Sequence, residues 1–384
     1  MDGFRSGVQT DVIATDFAKA FDKLSHRHLL SLLESLGIHG SFLAWLRSYL
    51  VGRQLVVRVK GALSSSFLAS SGIPQGSHLG PLCFLIMINS VVNQTIADGI
   101  RCLLFADDLK LFVHSNSPLD CESLQASIYR LEDWCTANHL FLNASKCSVV
   151  TFHRLSKPIV YNYTLCGSPL RRSDGLVDLG VFCDERLSFS SHIEALASRA
   201  MRTLGFLKRN TREFSSVDAI LTIYKALVLP TLDYASTIWS PSYGIHKYRL
   251  ERVQKKFLRY IAYKMGIAYE NVDFESLQRR CGLTTLERRR CLNDLVLLYK
   301  IVNDVMHCPP LLSRIDFLVP RVASRSPLLF SVPFAATNYD RNRPLARLPR
   351  SANLFLTFYP QFDFFFSPLS SLKSLFSNSH VSFQ

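Results

Sequence analysis

Hydrophobic and polar positions change their period along this 384-residue chain. In the first half, short alternating runs typical of strands are interleaved with segments that repeat apolar residues every three or four positions, as helices do. The run DVIATDF (11–17) predicts a strand that ends in an acid. The run SHRHLLSLLESLG (25–37) predicts a helix with a serine start and a glycine stop. Beyond residue 190 the pattern is almost wholly helical, so we expect an α+β part followed by an all-α part.

Further segments complete the α+β part. They are, in chain order, a half-exposed hairpin (53–72), a buried helix (76–94), a second hairpin (100–115), an amphipathic helix (121–140) and strands in 146–154 and 176–189. The last 60 residues or so show no clear period and are left unassigned.

Composition narrows the class of protein. With 48% hydrophobic residues the chain is predicted to be globular, with two or three domains. No apolar run approaches the 18 residues or so that a membrane span needs, and the start MDGFRSGVQTD lacks the features of a signal peptide. We therefore expect an intracellular protein of the cytoplasm or nucleus, with no membrane partner and no inferable protein partner. Ten scattered cysteines without zinc spacing predict reduced thiols and no structural metal.

Charge indicates a polyanionic partner, either nucleic acid or an anionic membrane surface, because the net charge is +14 and the pI is near 9.4. The excess is concentrated in 246–290, with 12 Lys/Arg against 5 Asp/Glu. Aromatic residues are interleaved there, namely Tyr248, Phe257, Tyr260 and Tyr263. This pattern suits phosphate contacts beside stacked bases, and it equally suits the solvated face of amphipathic helices.

The run LLFADDLKLF (103–112) places Asp107 and Asp108 side by side within a predicted hairpin. Adjacent carboxylates repel each other, so either a turn exposes them to water or a cation lies against them. Asp16 ends the first predicted strand, and pairing in one sheet could bring the three acids together. Carboxylates so placed suit two Mg²⁺ ions that assist phosphoryl transfer. Asp-Asp pairs are common in turns, so the pattern alone is weak.

Four blocks in order resemble the reverse transcriptases of non-LTR retrotransposons, closest to the jockey-like group. They are DFAKAFD (16–22), SGIPQGSHLGPLCFLIMIN (71–89), FADD (105–108) and LEDWCTANHLFLNASKC (131–147). The resemblance covers nearly the whole chain. It implies a right-hand polymerase palm with a ferredoxin-like split βαβ sheet, followed by a mostly helical thumb. The implied regions are a palm at 1–155, a primer-grip-like hairpin at 156–190, a basic thumb at 191–305 and a poorly defined tail at 306–384.

The resemblance also assigns the catalytic roles. Asp16 and Asp107 would hold two Mg²⁺ ions, or Mn²⁺ in their place, with the carbonyl of Phe17 as a further ligand. Asp108 would complete the acidic set. Phe21 corresponds to the aromatic residue that lies beneath the incoming sugar and excludes a 2′-hydroxyl, with an ordinary core phenylalanine as the alternative.

Other matching positions concern substrate and primer. The loop along nucleotide and template corresponds to Pro74, Gln75 and Gly76; without the resemblance it would be simply a turn. Lys146 lies where the family often has a cation near the leaving pyrophosphate. The alternative interpretation is an ordinary exposed lysine.

Leu179 and Gly180 fall in the implied primer-grip hairpin, where a structural role is the alternative. Asp22, one residue past Phe21, is expected to support the fold rather than bind metal.

One departure from the family pattern concerns the N-terminal side. Only fifteen residues precede Asp16, where the family has fingers with triphosphate-binding Lys/Arg, and no endonuclease domain is present. We therefore expect a chain that lacks most of the fingers and the endonuclease. Expressed alone, it is expected to bind RNA and DNA in a salt-dependent way but to polymerise poorly.

The implied function is RNA-directed DNA synthesis, in which a primer 3′-hydroxyl attacks the α-phosphate of a dNTP. The implied partners are an RNA template, a DNA primer or target, and dNTPs. Two alternatives remain open. One is an inactive retroelement remnant that at most binds nucleic acid. The other is an RNA-directed RNA polymerase, which shares the palm carboxylates but usually lacks PQG and an aromatic gate.

Overall fold

The computed structural model describes residues 2–318 and 328–378. The chain forms two compact units. The first contains residues 1–179 and 183–188, and the second contains 180–182 and 189–384. In the described residues, no helix combines the length and apolar character that crossing a bilayer requires.

The first unit contains the strands and six of the α-helices of the described residues. Its helices are α1 (Asp2–Arg5), α2 (Ala20–Lys23), α3 (His26–Ser35), α4 (Gly40–Leu50), α5 (Leu79–Thr95) and α6 (Pro118–Asn138). The strands are β1 (Gln9–Thr15), β2 (Gln54–Leu55), β3 (Arg58–Val59), β4 (Ala62–Leu63), β5 (Phe67–Leu68), β6 (Arg101–Phe105), β7 (Asp108–Ser115), β8 (Ser148–Phe152), β9 (Thr164–Leu165), β10 (Ser168–Pro169), β11 (Arg171–Arg172), β12 (Gly175–Asp178) and β13 (Val181–Asp184). The first two residues of β13 belong to the second unit.

A five-stranded sheet in the order β11-β8-β1-β7-β6 organises the first unit. Strand β1 pairs antiparallel with both β7 and β8, and β6 pairs antiparallel with β7. Strands β1 and β6 therefore run in the same direction on either side of β7, joined through α5. This is the split β-α-β arrangement that the sequence resemblance implied.

Alternation along the strands gives the sheet two covered faces, because successive side chains point to opposite sides. On one side Ile13, Leu109 and Leu111 are fully buried in a core that includes residues of α5 and α6. On the other side a smaller cluster forms around Val12 and Val150. Strand β1 thus lies at the centre of the unit, which fixes the position of the residue that follows it.

Local signals position α3, the helix that follows the DFAKAFD block (16–22), here called the first acidic block. The Ser25 side chain caps α3 by accepting a hydrogen bond from the His28 backbone N–H, and Leu29 and Leu33 are buried. Gly37 follows the helix end with a φ of 88°. The predicted serine start and glycine stop are confirmed.

The predicted hairpin at 53–72 forms two antiparallel ladders, β2 with β5 and β3 with β4. The prediction that it is half exposed is wrong. Every residue from 53 to 68 is exposed. Alternating apolar and polar residues produce a half-buried hairpin only if another part of the protein covers its apolar face.

The second unit is helical in its described part. Its helices are α7 (Ser190–Asn210), α8 (Val217–Leu227), α9 (Leu229–Asp233), α10 (Ser236–Trp239), α11 (Gly244–Lys264), α12 (Phe274–Arg280), α13 (Leu286–Val302), α14 (Pro309–Leu312), α15 (Asn338–Asn342), α16 (Pro344–Phe358) and α17 (Leu369–Asn378). Helix α11 packs along α7, and the rings of Tyr224 and Phe257 stack with centroids 3.7 Å apart.

The C-terminal tail, which was expected at 306–384 without defined elements, contributes α14–α17 to this unit. Buried aromatic rings such as Phe330, Phe355 and Phe364 form one cluster with Leu295 and Leu298 of α13. A stretch this rich in aromatic residues, with Pro349 inside α16, hides the helical period. Residues 319–327 and 379–384 of the stretch lie outside the described residues.

Candidate active site

Two of the predicted acids lie at one end of the ladder of hydrogen bonds between β1 and β7, here called the central ladder. The pairing of β1 with β7 stops at Thr15 and Leu109. Asp16 is the next residue after β1, and Asp108 is the residue just before Leu109. Since paired strands lie about 5 Å apart, the backbones at Asp16 and Asp108 are neighbours.

The third acid, Asp107, lies in the turn between β6 and β7. The hairpin closes with the pair Phe105–Asp108, which leaves Ala106 and Asp107 as a two-residue turn. Ala106 has a φ of 51°, a left-handed conformation that costs a residue with a Cβ about 1 kcal/mol. Strain of this kind accumulates at functional sites. Asp107 is half-buried there and Asp108 is exposed.

Asp16 is fixed by the segment that joins α6 to β8. The Ala18 backbone N–H donates to the Phe141 carbonyl at 2.8 Å, and the Asn143 N–H donates to the Asp16 carbonyl at 2.7 Å. The same segment places Lys146 Nζ 3.3 Å from Asp16 Oδ2. Both side chains are partly exposed, so this ion pair contributes little stability. Asp16 Oδ2 is nevertheless a buried atom that accepts no hydrogen bond from the described residues.

The donor chemistry of this end of the sheet fits a divalent cation, because carboxylate oxygens are the ligands that Mg²⁺ prefers. Asp16 Oδ2, which accepts no hydrogen bond but lies 3.3 Å from Lys146 Nζ, is one such ligand position. Phe17 is 5% exposed with its ring edge-on to Trp134, and its backbone carbonyl is the only ligand it offers because a phenyl ring has no donor oxygen. Within residues 2–318 and 328–378, however, no three His, Cys, Asp or Glu side chains converge closely enough to hold an ion. Holding one there requires side-chain rotation and release of Asp16 from Lys146.

The turn with Pro74, Gln75 and Gly76 is bound to the first acidic block. The Ile73 N–H donates to the Phe21 carbonyl at 2.9 Å, and Gln75 Nε2 donates to Asp22 Oδ1 at 2.9 Å. Asp22 therefore orients Gln75, in line with the supporting role predicted for it. Gly76 has a φ of 78° with open space around the position of a Cβ, so its backbone conformation is what favours glycine.

Phe21 lies between this turn and the core. Its ring stacks on the fully buried Phe84, with centroids 4.4 Å apart and planes inclined by 20°. Phe21 itself is only half-buried. One ring face is thus held by the core, while the residue remains partly exposed.

Comparison with known proteins decides the family. A family model described as "Reverse transcriptase (RNA-dependent DNA polymerase)" matches residues 5–207, more than half of the chain. The chain belongs to the reverse transcriptase family. The resemblance inferred from the four sequence blocks is confirmed. Every predicted site residue from Asp16 to Gly180 lies inside the matched region.

The individual relatives come from mobile elements. The chain is 30% identical over 254 residues to "Probable RNA-directed DNA polymerase from transposon X-element" of Drosophila melanogaster, covering 64% of this chain and 27% of that protein. It is 30% identical over 257 residues to "RNA-directed DNA polymerase from mobile element jockey" of Drosophila funebris, covering 64% and 28%. The chain thus spans about a quarter of these relatives' length. Among solved structures, apo telomerase from Candida tropicalis is 13% identical with a TM-score of 0.39, covering 96% of this chain and 52% of that one.

In this member of the reverse transcriptase family, Leu179 and Gly180 form the two-residue turn between β12 and β13. Both have positive φ, 44° and 85°, which is typical of a tight hairpin turn. The preceding Asp178 pairs with Lys110 of β7 at 2.8 Å. Lys110 is only 8% exposed and was not singled out from the sequence. Its position within a predicted buried strand was the feature of the sequence that could have indicated an ion pair at Lys110.

Of the four aromatic residues predicted to contact nucleic acid, Phe257 and Tyr260 are engaged by other residues of the second unit, and Tyr260 is only half-buried. Phe257 is fully buried against Tyr224. Tyr260 donates its hydroxyl to the Thr211 carbonyl at 3.0 Å. The other two, Tyr248 and Tyr263, are 61% and 76% exposed. Tyr248 and Tyr263 are therefore the two of the four that are largely exposed, and their contact with nucleic acid stays a prediction.

Basic side chains of α7 and α11 nevertheless form a cluster of like charge. The pKa of Lys208 is lowered by burial and further by the nearby charges of Lys256 and Arg259. The ammonium groups of Lys208 and Lys264 lie 5.5 and 5.8 Å from the centre of the Tyr260 ring. Such a cluster favours an anion, since a bound phosphate relieves the mutual repulsion.

Proposed function

We propose that this chain carries the polymerase core of a non-LTR retrotransposon and extends a DNA primer on an RNA template with dNTPs. The placement of Asp16, Asp107 and Asp108 at one end of the central ladder, within the matched reverse transcriptase region, is the observation that supports it. The names of the jockey and X-element relatives describe the same activity.

We assign the parts of the polymerase accordingly. Residues 1–155 serve as the palm, 156–190 as the primer-grip hairpin with Leu179 and Gly180 at its tip, 191–305 as the basic thumb and 306–384 as a C-terminal tail. The palm assignment draws on the split β-α-β sheet and the thumb assignment on the helical, basic character of the second unit.

Asp16, Asp107 and Asp108, with the Phe17 carbonyl, are the groups that would hold two Mg²⁺ or Mn²⁺ ions. When bound, such ions stabilise the attacking and the leaving oxygen of an in-line phosphoryl transfer. Lys146, which pairs with Asp16 at 3.3 Å, offers a positive charge beside the same carboxylate and can meet the leaving pyrophosphate.

Substrate selection falls to the residues around the 74–76 turn. The Phe21 ring, fixed on one face by Phe84, forms a wall beneath the sugar of the incoming nucleotide. Pro74, Gln75 and Gly76 lie along nucleotide and template, with Gln75 oriented by its hydrogen bond to Asp22. The template and primer backbones are attracted by the cluster of Lys208, Lys256 and Arg259.

Primer extension on RNA and DNA templates of one sequence tests this function. Because the chain spans about a quarter of its relatives, the assay is run on the chain and on a chimera that carries it within the D. funebris jockey polymerase. We expect Mg²⁺-dependent incorporation of dNTPs on the RNA template, with reactions lacking template or containing EDTA as controls. Preferential incorporation of rNTPs would favour the RNA polymerase alternative. Template binding without incorporation in both proteins would favour the inactive remnant.

A further inference from the structure

Helix α4 has two unlike faces. Leu46 and Leu50 are 4% and 1% exposed and pack into the core of the first unit. On another face, Phe42 and Trp45 are 55% and 51% exposed, and Tyr49 is half-buried. Spacings of three and four residues bring these aromatic side chains into one row along the helix.

The row is ordered as a stack. The rings of Phe42 and Trp45 have centroids 5.8 Å apart with planes inclined by 12°, and those of Trp45 and Tyr49 are 6.3 Å apart at 18°. The guanidinium of Arg53 lies over the Tyr49 ring at 6.0 Å. We call Phe42, Trp45 and Tyr49 the aromatic ladder. Large exposed rings held parallel offer flat apolar surface that a solitary surface aromatic does not.

One end of the aromatic ladder reaches the proposed template loop. The Tyr49 hydroxyl and Ser77 Oγ are hydrogen-bonded at 2.5 Å. Ser77 Oγ in turn contacts the Pro74 carbonyl at 2.6 Å. The aromatic ladder is therefore continuous with the 74–76 turn through a single side chain.

The charge of the chain segments that flank the aromatic ladder in sequence favours a polyanion. Residues 24–97 contain a single acid, Glu34. The basic residues of this stretch, all exposed, are Arg27, Arg47, Arg53, Arg58 and Lys60. Exposed aromatic rings within a positively charged surface are how proteins bind single-stranded nucleic acid, by stacking bases and attracting phosphates. A protein partner would need to be acidic as well as apolar.

We propose that the aromatic ladder stacks the bases of an unpaired nucleic-acid strand and leads it toward the 74–76 turn. In the polymerase this strand is the single-stranded part of the template. That identity rests on the proposed function, whereas the binding itself needs no catalysis. Arg53, at the end of the stack, supplies a charge for the phosphate backbone.

Trp45 reports on its own site. The chain has three tryptophans, and Trp134 and Trp239 are 2% and 1% exposed, so Trp45 is the accessible one. We expect a single-stranded RNA 12-mer to quench its fluorescence, because stacked bases lie directly on the ring. Heparin, a polyanion without bases, is expected to bind the basic surface without comparable quenching.

Substitution separates stacking from charge. Base–aromatic stacking is worth about 1–3 kcal/mol per base, so Trp45→Ala should weaken binding of the RNA 12-mer roughly 5- to 150-fold by fluorescence anisotropy. Trp45→Phe should retain most of the affinity, and blunt-ended duplex RNA should bind both variants as it binds the wild type. Phe366→Ala removes an 89% exposed ring of the second unit and should leave RNA affinity unchanged. Arg53→Gln should lower the salt slope of binding by about one.

Equal affinity of Trp45→Ala and wild-type protein for the 12-mer, at equal melting temperatures, would overturn the proposal. So would loss of self-association by Trp45→Ala in sedimentation with RNA binding intact, which would make the aromatic ladder a contact between copies. The result of this binding test can be distinguished from the result of the test of the proposed function. A chain that fails to incorporate dNTPs but loses RNA affinity with Trp45→Ala retains this inference and loses the other.

Discussion

Gly72 lies where the segment before the 74–76 turn crosses the first acidic block, and it gives the sharpest stability prediction. Its φ is +87°, and a Cβ built there would lie 2.7 Å from the Asp22 carbonyl oxygen and 2.9 Å from Asp22 Cα. Both are backbone atoms, so no side-chain rotation can relieve the contact. Gly72→Ala should therefore separate the two segments.

The cost can be built from the contacts at the crossing. The left-handed φ costs alanine about 1 kcal/mol. Separation also lengthens or breaks the hydrogen bonds from Gly72 N–H to the Leu24 carbonyl (2.8 Å) and from Ile73 N–H to the Phe21 carbonyl (2.9 Å). Each contributes about 1 kcal/mol net, which gives a loss of about 3 kcal/mol. For a unit of this size that lowers the melting temperature by about 6–12 °C.

Gly76→Ala is the matched control. Gly76 also has a positive φ, +78°, but no atom lies within 4 Å of the position its Cβ would take. This variant should lose only about 1 kcal/mol. Urea unfolding followed by circular dichroism measures both free energies of unfolding. Equal losses in the two variants would refute the close crossing at Gly72.

Three further predictions concern the sugar, a buried ion pair and pH. Phe21→Ala should raise rNTP relative to dNTP incorporation; an unchanged ratio with a stability loss of about 3–5 kcal/mol would make Phe21 a core residue alone. Arg347 donates to both carboxylate oxygens of the buried Asp294, at 2.6 and 3.2 Å, so Arg347→Met should lower the unfolding free energy of the second unit by about 3–5 kcal/mol. Adding Asp294→Asn should recover part of it, and no recovery would contradict this reasoning. Burial lowers the pKa of His192 from its ordinary 6.5. The neutral side chain therefore contributes its full stability above pH 6.5, and this contribution is lost as the pH falls below 6.5 and the imidazole must be protonated. His192→Gln should flatten the pH dependence of unfolding between about pH 7 and pH 5 relative to the wild type, and an unchanged slope would refute this.

Local chemistry made part of the fold predictable. The cap of Ser25 and the glycine stop of α3 act within a few residues, and they were visible in the sequence. Adjacent acids between alternating apolar runs likewise predicted the hairpin that carries Asp107 and Asp108. The order of the strands came from the family resemblance, because pairing between distant segments leaves no short-range signal.

What the sequence did not predict depends on contacts between distant residues. The ion pair of Lys146 with Asp16 exists because residues 141–143 bind beside the end of β1. The need for glycine at position 72 arises from Asp22, fifty residues earlier. The burial of Phe257, which removes it from the expected nucleic-acid surface, depends on Tyr224 of another helix. All three features depend on packing between distant segments, which the periodicity of the sequence does not predict.

The central claim is that the acids at the end of the β1–β7 ladder carry nucleotidyl transfer. The most direct measurement is the rate of single-nucleotide incorporation on an RNA template by the jockey chimera, with and without Asp107→Asn. Asp98→Asn, which neutralises an exposed acid after α5, is the matched control. The account predicts that Asp107→Asn lowers the rate by orders of magnitude at unchanged stability while Asp98→Asn retains it. Full Mg²⁺-dependent activity of Asp107→Asn would contradict it.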